Sequence, residues 1–176
     1  MKKKTALDFN RLSAVDFLRQ EKQPVVLVLD NIRSAHNVGA AFRLSDALLI
    51  KHIYLCGITP CPPHKQLHKT ALGAEDVVAW THAQHTLGVL KELRQQGYQL
   101  IAVEQVKDAV LLQHLYKMAT KGPFALVFGH EVFGVDEKVL AAVDHCVEVP
   151  QYGTKFSMNV SVCMGMVVWE LLRSRL

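Results

Sequence analysis

The sequence predicts an α/β fold, a mostly parallel sheet with helices on both faces. Three observations predict it. Short apolar runs rich in β-branched residues alternate with helical patterns along the chain, as strand–helix–strand units do. Half of the 176 residues are apolar, enough to bury a sheet on two faces and too many for a disordered chain. No linker, low-complexity tract or repeat interrupts the alternation, so 1–176 reads as one domain with a helical extension over 1–23.

The elements follow in order. Ser13 with Asp16 three residues on resembles a capping box and opens a helix over 13–19, with Val15, Phe17 and Leu18 as its apolar contacts. Residues 25–29, after Pro24, form a continuous apolar run, read as a strand buried on both faces. A polar loop over 30–37 leads into a helix through Ala40, Ala41, Leu44 and Leu48. Residues 53–55 read as a second strand. Pro60, Pro62 and Pro63 make 57–65 a loop. Strands are expected at 77–80, 100–103, 124–128 and 147–149. Helices are expected at 86–96, 111–118, 136–142 and 160–173. The last of these is apolar on nearly every side, from Val160 and Val162 through Met166 and Trp169 to Leu172. A surface helix needs only one apolar stripe, so this one requires cover on more than one face.

The net charge of +4 is mildly basic, which favours a polyanionic partner without specifying one. Aromatic residues make up only 7% of the chain, too few for single-strand binding by repeated stacking. The four cysteines, Cys56, Cys61, Cys146 and Cys163, form no disulfide framework. Cys56 and Cys61, followed by His64 and His68, lack the second ligand pair of a zinc site, and no metal is expected. The Lys2–Lys4 tip is followed by polar sequence, not by the apolar stretch of a leader, and no run is long enough to span a membrane. A cytoplasmic protein with reduced thiols is the expectation.

The turn after the first strand, over 30–39, contains Gly39 alone and no G-x-G-x-x-G, and Gly153-Thr154-Lys155 lacks the surroundings of a P-loop. The usual dinucleotide and nucleoside-triphosphate sites are therefore not indicated. The glycine-bearing loops lie late. Gly129-His130-Glu131-Val132-Phe133-Gly134 follows the fifth expected strand, and the stretch from Pro150 to Asn159 follows the sixth. Ligands of open α/β sheets bind beyond the carboxyl ends of the strands. This places a candidate site in the C-terminal half, although the same glycines read equally well as turn residues.

Three segments, in this order, resemble the SPOUT superfamily, in its SpoU or TrmH-type branch of RNA ribose methyltransferases. They are Asn37-Val38-Gly39-Ala40-Ala41-Phe42-Arg43 (N-x-G-x-x-x-R), Leu126 to Gly134 (an apolar strand, then G-x-E-x-x-G), and Val149-Pro150 with Ser157-Met158-Asn159 opening the last helix. Thr70 to Ala74 also resembles a family feature. The resemblance runs from about Pro24 to the C-terminus. It implies a C-terminal deep trefoil knot, S-adenosylmethionine as cofactor, a homodimer, and methyl transfer to a ribose 2′-hydroxyl of structured tRNA or rRNA. The RNA-binding domain that some members carry before the first strand is expected to be absent.

The resemblance also implies residue roles. Arg43 is the first catalytic candidate. Its guanidinium stays protonated, which suits a phosphate clamp that stabilises a developing alkoxide better than a base. Asn37 orients Arg43 or the ribose, and its position also suits a helix cap. Glu131 ties down the late loop or orients Arg43. Ser157 and Asn159 line the active site and suit capping too. Val103, Gly129, Val149 and Met158 match positions that hold the cofactor through backbone groups and apolar walls. His130 and Met158 depart from the commonest family pattern, and His130 is assigned no role. Arg33, His36, Lys65, His68 and Lys69 form a candidate basic rim for RNA, or else a solvated face. Two other readings remain. One is a methyltransferase of the same fold acting on an RNA base. The other is an RNA-binding protein that keeps the fold without catalysis.

Overall fold

The computed structural model describes residues 1–5, 8, 11–118 and 122–173, so the expected N-terminal extension falls partly outside the described residues. The elements run α1 (Ala14–Arg19), β1 (Gln23–Asp30), α2 (Ala35–Ala47), β2 (Ile50–Cys56), α3 (Lys65–Ala71), β3 (Trp80–Ala83), α4 (Thr86–Gln95), β4 (Gln99–Val103), β5 (Val110–Leu111), α5 (Leu115–Met118), β6 (Phe124–Phe128), α6 (Glu137–Leu140), β7 (His145–Glu148) and α7 (Val160–Leu172). The strands form one sheet in the order β3-β2-β1-β6-β4-β7-β5. Every pair in it is parallel.

Alternate residues of the central strands point to opposite faces, and each face has its own core. Val25, Leu27 and Leu29 of β1, with Phe124, Leu126 and Phe128 of β6, pack with Phe17 of α1 and with buried residues of α2, α3 and α7. Val26, Val28, Ala125 and Val127 pack on the other side with Val89, Leu90 and Leu93 of α4 and with Val139. Burial on both faces is why these strands read as unbroken apolar runs.

Four expectations shift. First, α2 begins at Ala35 and its cap is Ser34, whose Oγ accepts the Asn37 amide at 3.4 Å. Asn37 is therefore inside the first turn and does not cap α2. Second, α3 occupies 65–71 at the end of the expected proline loop. Only Leu67 and Ala71 of its seven residues are buried, too sparse an i,i+4 signal to stand out beside three prolines. Third, Val78 joins the core from a turn and the strand follows at Trp80–Ala83, whose residues are not fully buried. Fourth, 111–118 is not one helix: it divides into the end of β5, a 3₁₀ turn and α5.

Because the strands are parallel, the carboxyl ends of β1, β6, β4 and β7 open on one edge of the sheet. The segments that leave them carry all three motifs.

Candidate active site

The loop after β6 is a tight turn fastened at its base. The His130 amide donates to the Gly134 carbonyl at 2.9 Å, and the Gly134 amide returns the bond to His130 at 2.8 Å. Both glycines are sterically required. A Cβ on Gly129 would lie 2.3 Å from backbone atoms of Gly134 and Val135, and Gly134 has φ +70°, a conformation that costs most side chains energy. His130 Nδ1 accepts the amides of Val132 at 3.0 Å and Phe133 at 3.4 Å.

Glu131 projects from this turn onto the start of α2. Its Oε2 accepts the Arg33 amide at 2.9 Å, and its Oε1 accepts the Ser34 amide at 2.9 Å and Asn37 Nδ2 at 2.8 Å. Burial pushes its pKa up, but the Arg33 amide, its own amide, the Asn37 side chain and the Ser34 amide outweigh this and hold it below the ordinary carboxylate value. A carboxylate so committed is an organiser rather than a proton acceptor. Asn37, 7% exposed, in turn accepts Asn159 Nδ2 on its Oδ1 at 3.3 Å. Asn159 caps α7, with Oδ1 accepting the Ser161 amide at 2.8 Å. Glu131, Asn37 and Asn159 thus form one hydrogen-bonded chain that joins the three sequence motifs.

Beside this chain lies an open cleft between the ends of β4, β6 and β7. Val103, Gly129, Glu131, Val149, Ser157 and Met158 line it, together with Glu104, Gln105, His130 and Cys163 among others. All four residues expected to hold a cofactor meet there, as do two of the five catalytic candidates. Asn37 and Asn159 reach its edge through Glu131. Arg43 does not line the cleft. It sits on α2 six residues beyond Asn37, about 9 Å along the axis, with an exposed side chain that has no partner among the described residues.

Gly39, in the first motif, has a packing role. A Cβ there would lie 2.0 Å from Thr70 Oγ1 and 2.5 Å from the Leu67 carbonyl oxygen, so its absence lets α2 and α3 cross closely. Arg33, His36, Lys65 and Lys69 are exposed around this crossing. His68 is exposed as well, but its ring pairs with the buried Glu75 at 2.5 Å. His64 Nδ1 caps α3 at 3.4 Å and Cys61 Sγ donates to the Thr59 carbonyl at 3.4 Å. Among the described residues no three histidines, cysteines or acids lie close enough to hold a metal ion.

Two lining residues had no signal in any motif. Glu104 Oε2 accepts the Val135 amide at 2.9 Å and Gln105 Nε2 donates to the Phe156 carbonyl at 3.0 Å. Together they tie the end of β4 to both late loops. The available signal was positional: two polar residues directly after a buried strand, at the edge where ligands bind.

Residues 24–169 match the SpoU rRNA methylase family. The chain belongs to that family. Among the similar SpoU relatives is a 23S rRNA (guanosine-2′-O-)-methyltransferase RlmB of Vibrio parahaemolyticus, 30% identical over 175 residues, covering 98% of this chain and 68% of the relative. The RlmB of Ralstonia nicotianae is 32% identical over 155 residues, covering 88% and 61%. The chain thus spans little more than three fifths to two thirds of these proteins. The SpoU fold appears again in a TrmH/SpoU tRNA modifying enzyme of A. aeolicus, with TM-score 0.80 at 25% identity over 90% of this chain and 79% of that one. An AdoMet-bound rRNA methyltransferase of Sinorhizobium meliloti has the same fold, with TM-score 0.79 at 20% identity over 91% and 60%.

Proposed function

We propose that this chain transfers a methyl group from S-adenosylmethionine to a ribose 2′-hydroxyl of ribosomal RNA. The observation that carries the reading is the Glu131–Asn37–Asn159 chain at the edge of the cleft, because it joins all three motifs at one place. The relatives' names support ribosomal RNA as substrate, and the A. aeolicus neighbour's name keeps tRNA as the second reading.

The cleft suits this cofactor. Val103, Val149 and Met158 supply apolar walls, and the glycine turn presents backbone groups. Among the described residues its lining carries two carboxylates and no lysine or arginine. That disfavours a phosphate-bearing ligand and favours a neutral or cationic nucleoside. When bound, the cofactor supplies a methyl group already activated by the positive charge on sulfur. The chain's task is then to orient and to handle a proton. Glu131 fixes the α2 entry loop, Asn37 links it to Asn159 at the start of α7, and Ser157 adds a hydroxyl on the lining. Positioning of this kind is worth about 7–11 kcal/mol. Arg43 clamps an RNA phosphate and stabilises the developing alkoxide. It reaches the ribose only where RNA, or a second copy of the chain, brings it to the cleft.

A homodimer through α7 belongs to the same reading. Met164, Val167, Val168, Leu171 and Leu172 are buried, while Val162, Met166 and Trp169 remain 53%, 41% and 54% exposed. A Cβ on Gly165, between them, would meet nothing within 4 Å. These positions form one stripe at i, i+3, i+4 and i+7, and a second copy is its natural cover. Threading of the C-terminal segment into a knot, one domain over 1–176 and a cytoplasmic location also remain parts of the proposal. Four free cysteines support a reducing compartment. Among the described residues no helix is long and apolar enough to cross a membrane.

The test is transfer from methyl-labelled cofactor to RNA of a strain lacking the gene, with ribosomal and transfer RNA separated afterwards. Label in ribosomal RNA is expected. Label in tRNA alone moves the substrate to the second reading, and no label in either overturns the function.

A further inference from the structure

We propose that Glu104 is the charge-recognition residue of the cleft, favouring the sulfonium cofactor over its neutral thioether product. This rests on the cofactor reading above and assigns a specificity to one residue within it.

The cleft's two carboxylates differ in how they are used. Glu131 is turned toward α2 and accepts three hydrogen bonds. Glu104 accepts two, the Gln105 amide on Oε1 at 2.8 Å and the Val135 amide on Oε2 at 2.9 Å. A carboxylate has about four lone-pair sites, so each Glu104 oxygen keeps one to offer. The group is also held in place. A Cβ on Gly134 would lie 2.2 Å from Oε2, so the carboxylate packs against the bare backbone of the glycine turn.

Among the described lining residues no lysine or arginine neutralises this charge. Its field reaches the cleft wall: burial, with the Glu104 charge as a second cause, pushes the Cys163 thiol up to about 11. A negative charge left in a half-enclosed cleft attracts a cation strongly.

The reaction makes that attraction state-dependent. The methyl group passes to the ribose oxygen, the electron pair of the S–CH₃ bond stays on sulfur, and the hydroxyl proton passes to water. The sulfonium becomes a neutral thioether. The ligand thus loses the sulfonium part of its attraction to Glu104 at the moment of transfer, which favours exchange of product for fresh cofactor. Because Val135 and Phe156 are tethered to residues 104 and 105, the recognition point is also the common anchor of both late loops.

The experiment is calorimetric titration of the full chain with S-adenosylmethionine and S-adenosylhomocysteine, for wild type and Glu104→Gln. Gln keeps an oxygen for the Val135 amide, gives up the Gln105 amide bond and removes the charge, and the thioether ligand reads any loss that does not depend on charge. The expected result is a loss of about tenfold for the sulfonium ligand and under about twofold for the thioether. Equal losses for both, or none, overturn the proposal. A second measurement needs no variant. Raising ionic strength weakens wild-type binding of the sulfonium ligand more than that of the thioether, and parallel salt dependences count against the assignment. Wild-type protein that binds neither ligand overturns the cofactor reading and this inference with it.

Discussion

The cleft at the strand ends and the α2–α3 face differ in how complete they are. In the cleft, backbone and side chains already hold one another in place: Glu131 holds three donors, Glu104 two, and the turn at Gly129 closes on itself. On the α2–α3 face Arg33, His36, Arg43, Lys65 and Lys69 stand exposed. The first region is preorganised for a small ligand that enters an existing shape. The second presents charges whose partners arrive with RNA. Damage to the first should therefore appear in cofactor affinity and folding, and damage to the second in turnover.

The largest effect tests that division. Arg43→Ala is expected to lower methyl transfer by at least about a hundredfold, with cofactor affinity by calorimetry within about twofold of wild type. Arg43→Lys should fail as well, since a point charge does not replace a planar fork. Strong loss of cofactor affinity in Arg43→Ala would erase the distinction between the two regions.

Gly129→Ala is the reciprocal case. Its Cβ would be placed 2.3 Å from fixed backbone, so the turn must open. A destabilisation of about 1–3 kcal/mol is expected, with at least about tenfold weaker cofactor binding. Denaturant unfolding and titration read the two quantities. An unaltered cleft in this variant would mean that the turn is looser than its geometry.

Met166→Glu puts a charge on the α7 stripe, which belongs to neither region. Sedimentation at low micromolar concentration should show wild-type dimer and variant monomer, because a charge buried in an apolar interface is costly. A wild-type monomer would refute the dimer.

The smallest effect concerns pH. The folded-state pKa of Glu131 lies below its ordinary value of 4.5. Its contribution to stability is then fully present above the unfolded pKa and is lost as pH falls through the folded one. The stability gap between wild type and Glu131→Gln should narrow as pH drops below about 4.5, measured by urea unfolding. A gap independent of pH would show that the carboxylate charge is not what organises the α2 entry loop.

The sequence made the parallel sheet legible because β1 and β6 are buried on both faces and carry unbroken apolar runs. It made the ligand edge legible because glycines cluster after β6. The short elements were hidden. Helix α3 buries two side chains, β5 spans two residues, and edge strand β3 is partly exposed, so none imposes a clear period. Asn37 read as a cap because helix starts favour such residues. Tertiary structure gives the cap to Ser34 and turns Asn37 inward to Glu131. Glu104 was invisible because its meaning depends on Val135 and Gly134, thirty residues away in sequence and adjacent only once β4 and β6 pair.

The central claim is that the methyl group goes to a ribose oxygen. The direct measurement is alkaline hydrolysis of ribosomal RNA labelled by the purified chain with methyl-labelled cofactor. A 2′-O-methyl removes the hydroxyl that alkali needs to cleave the backbone, so the account predicts label in alkali-resistant dinucleotides that stays with the sugar after the base is released. Label recovered on a free base, or in mononucleotides alone, would contradict it.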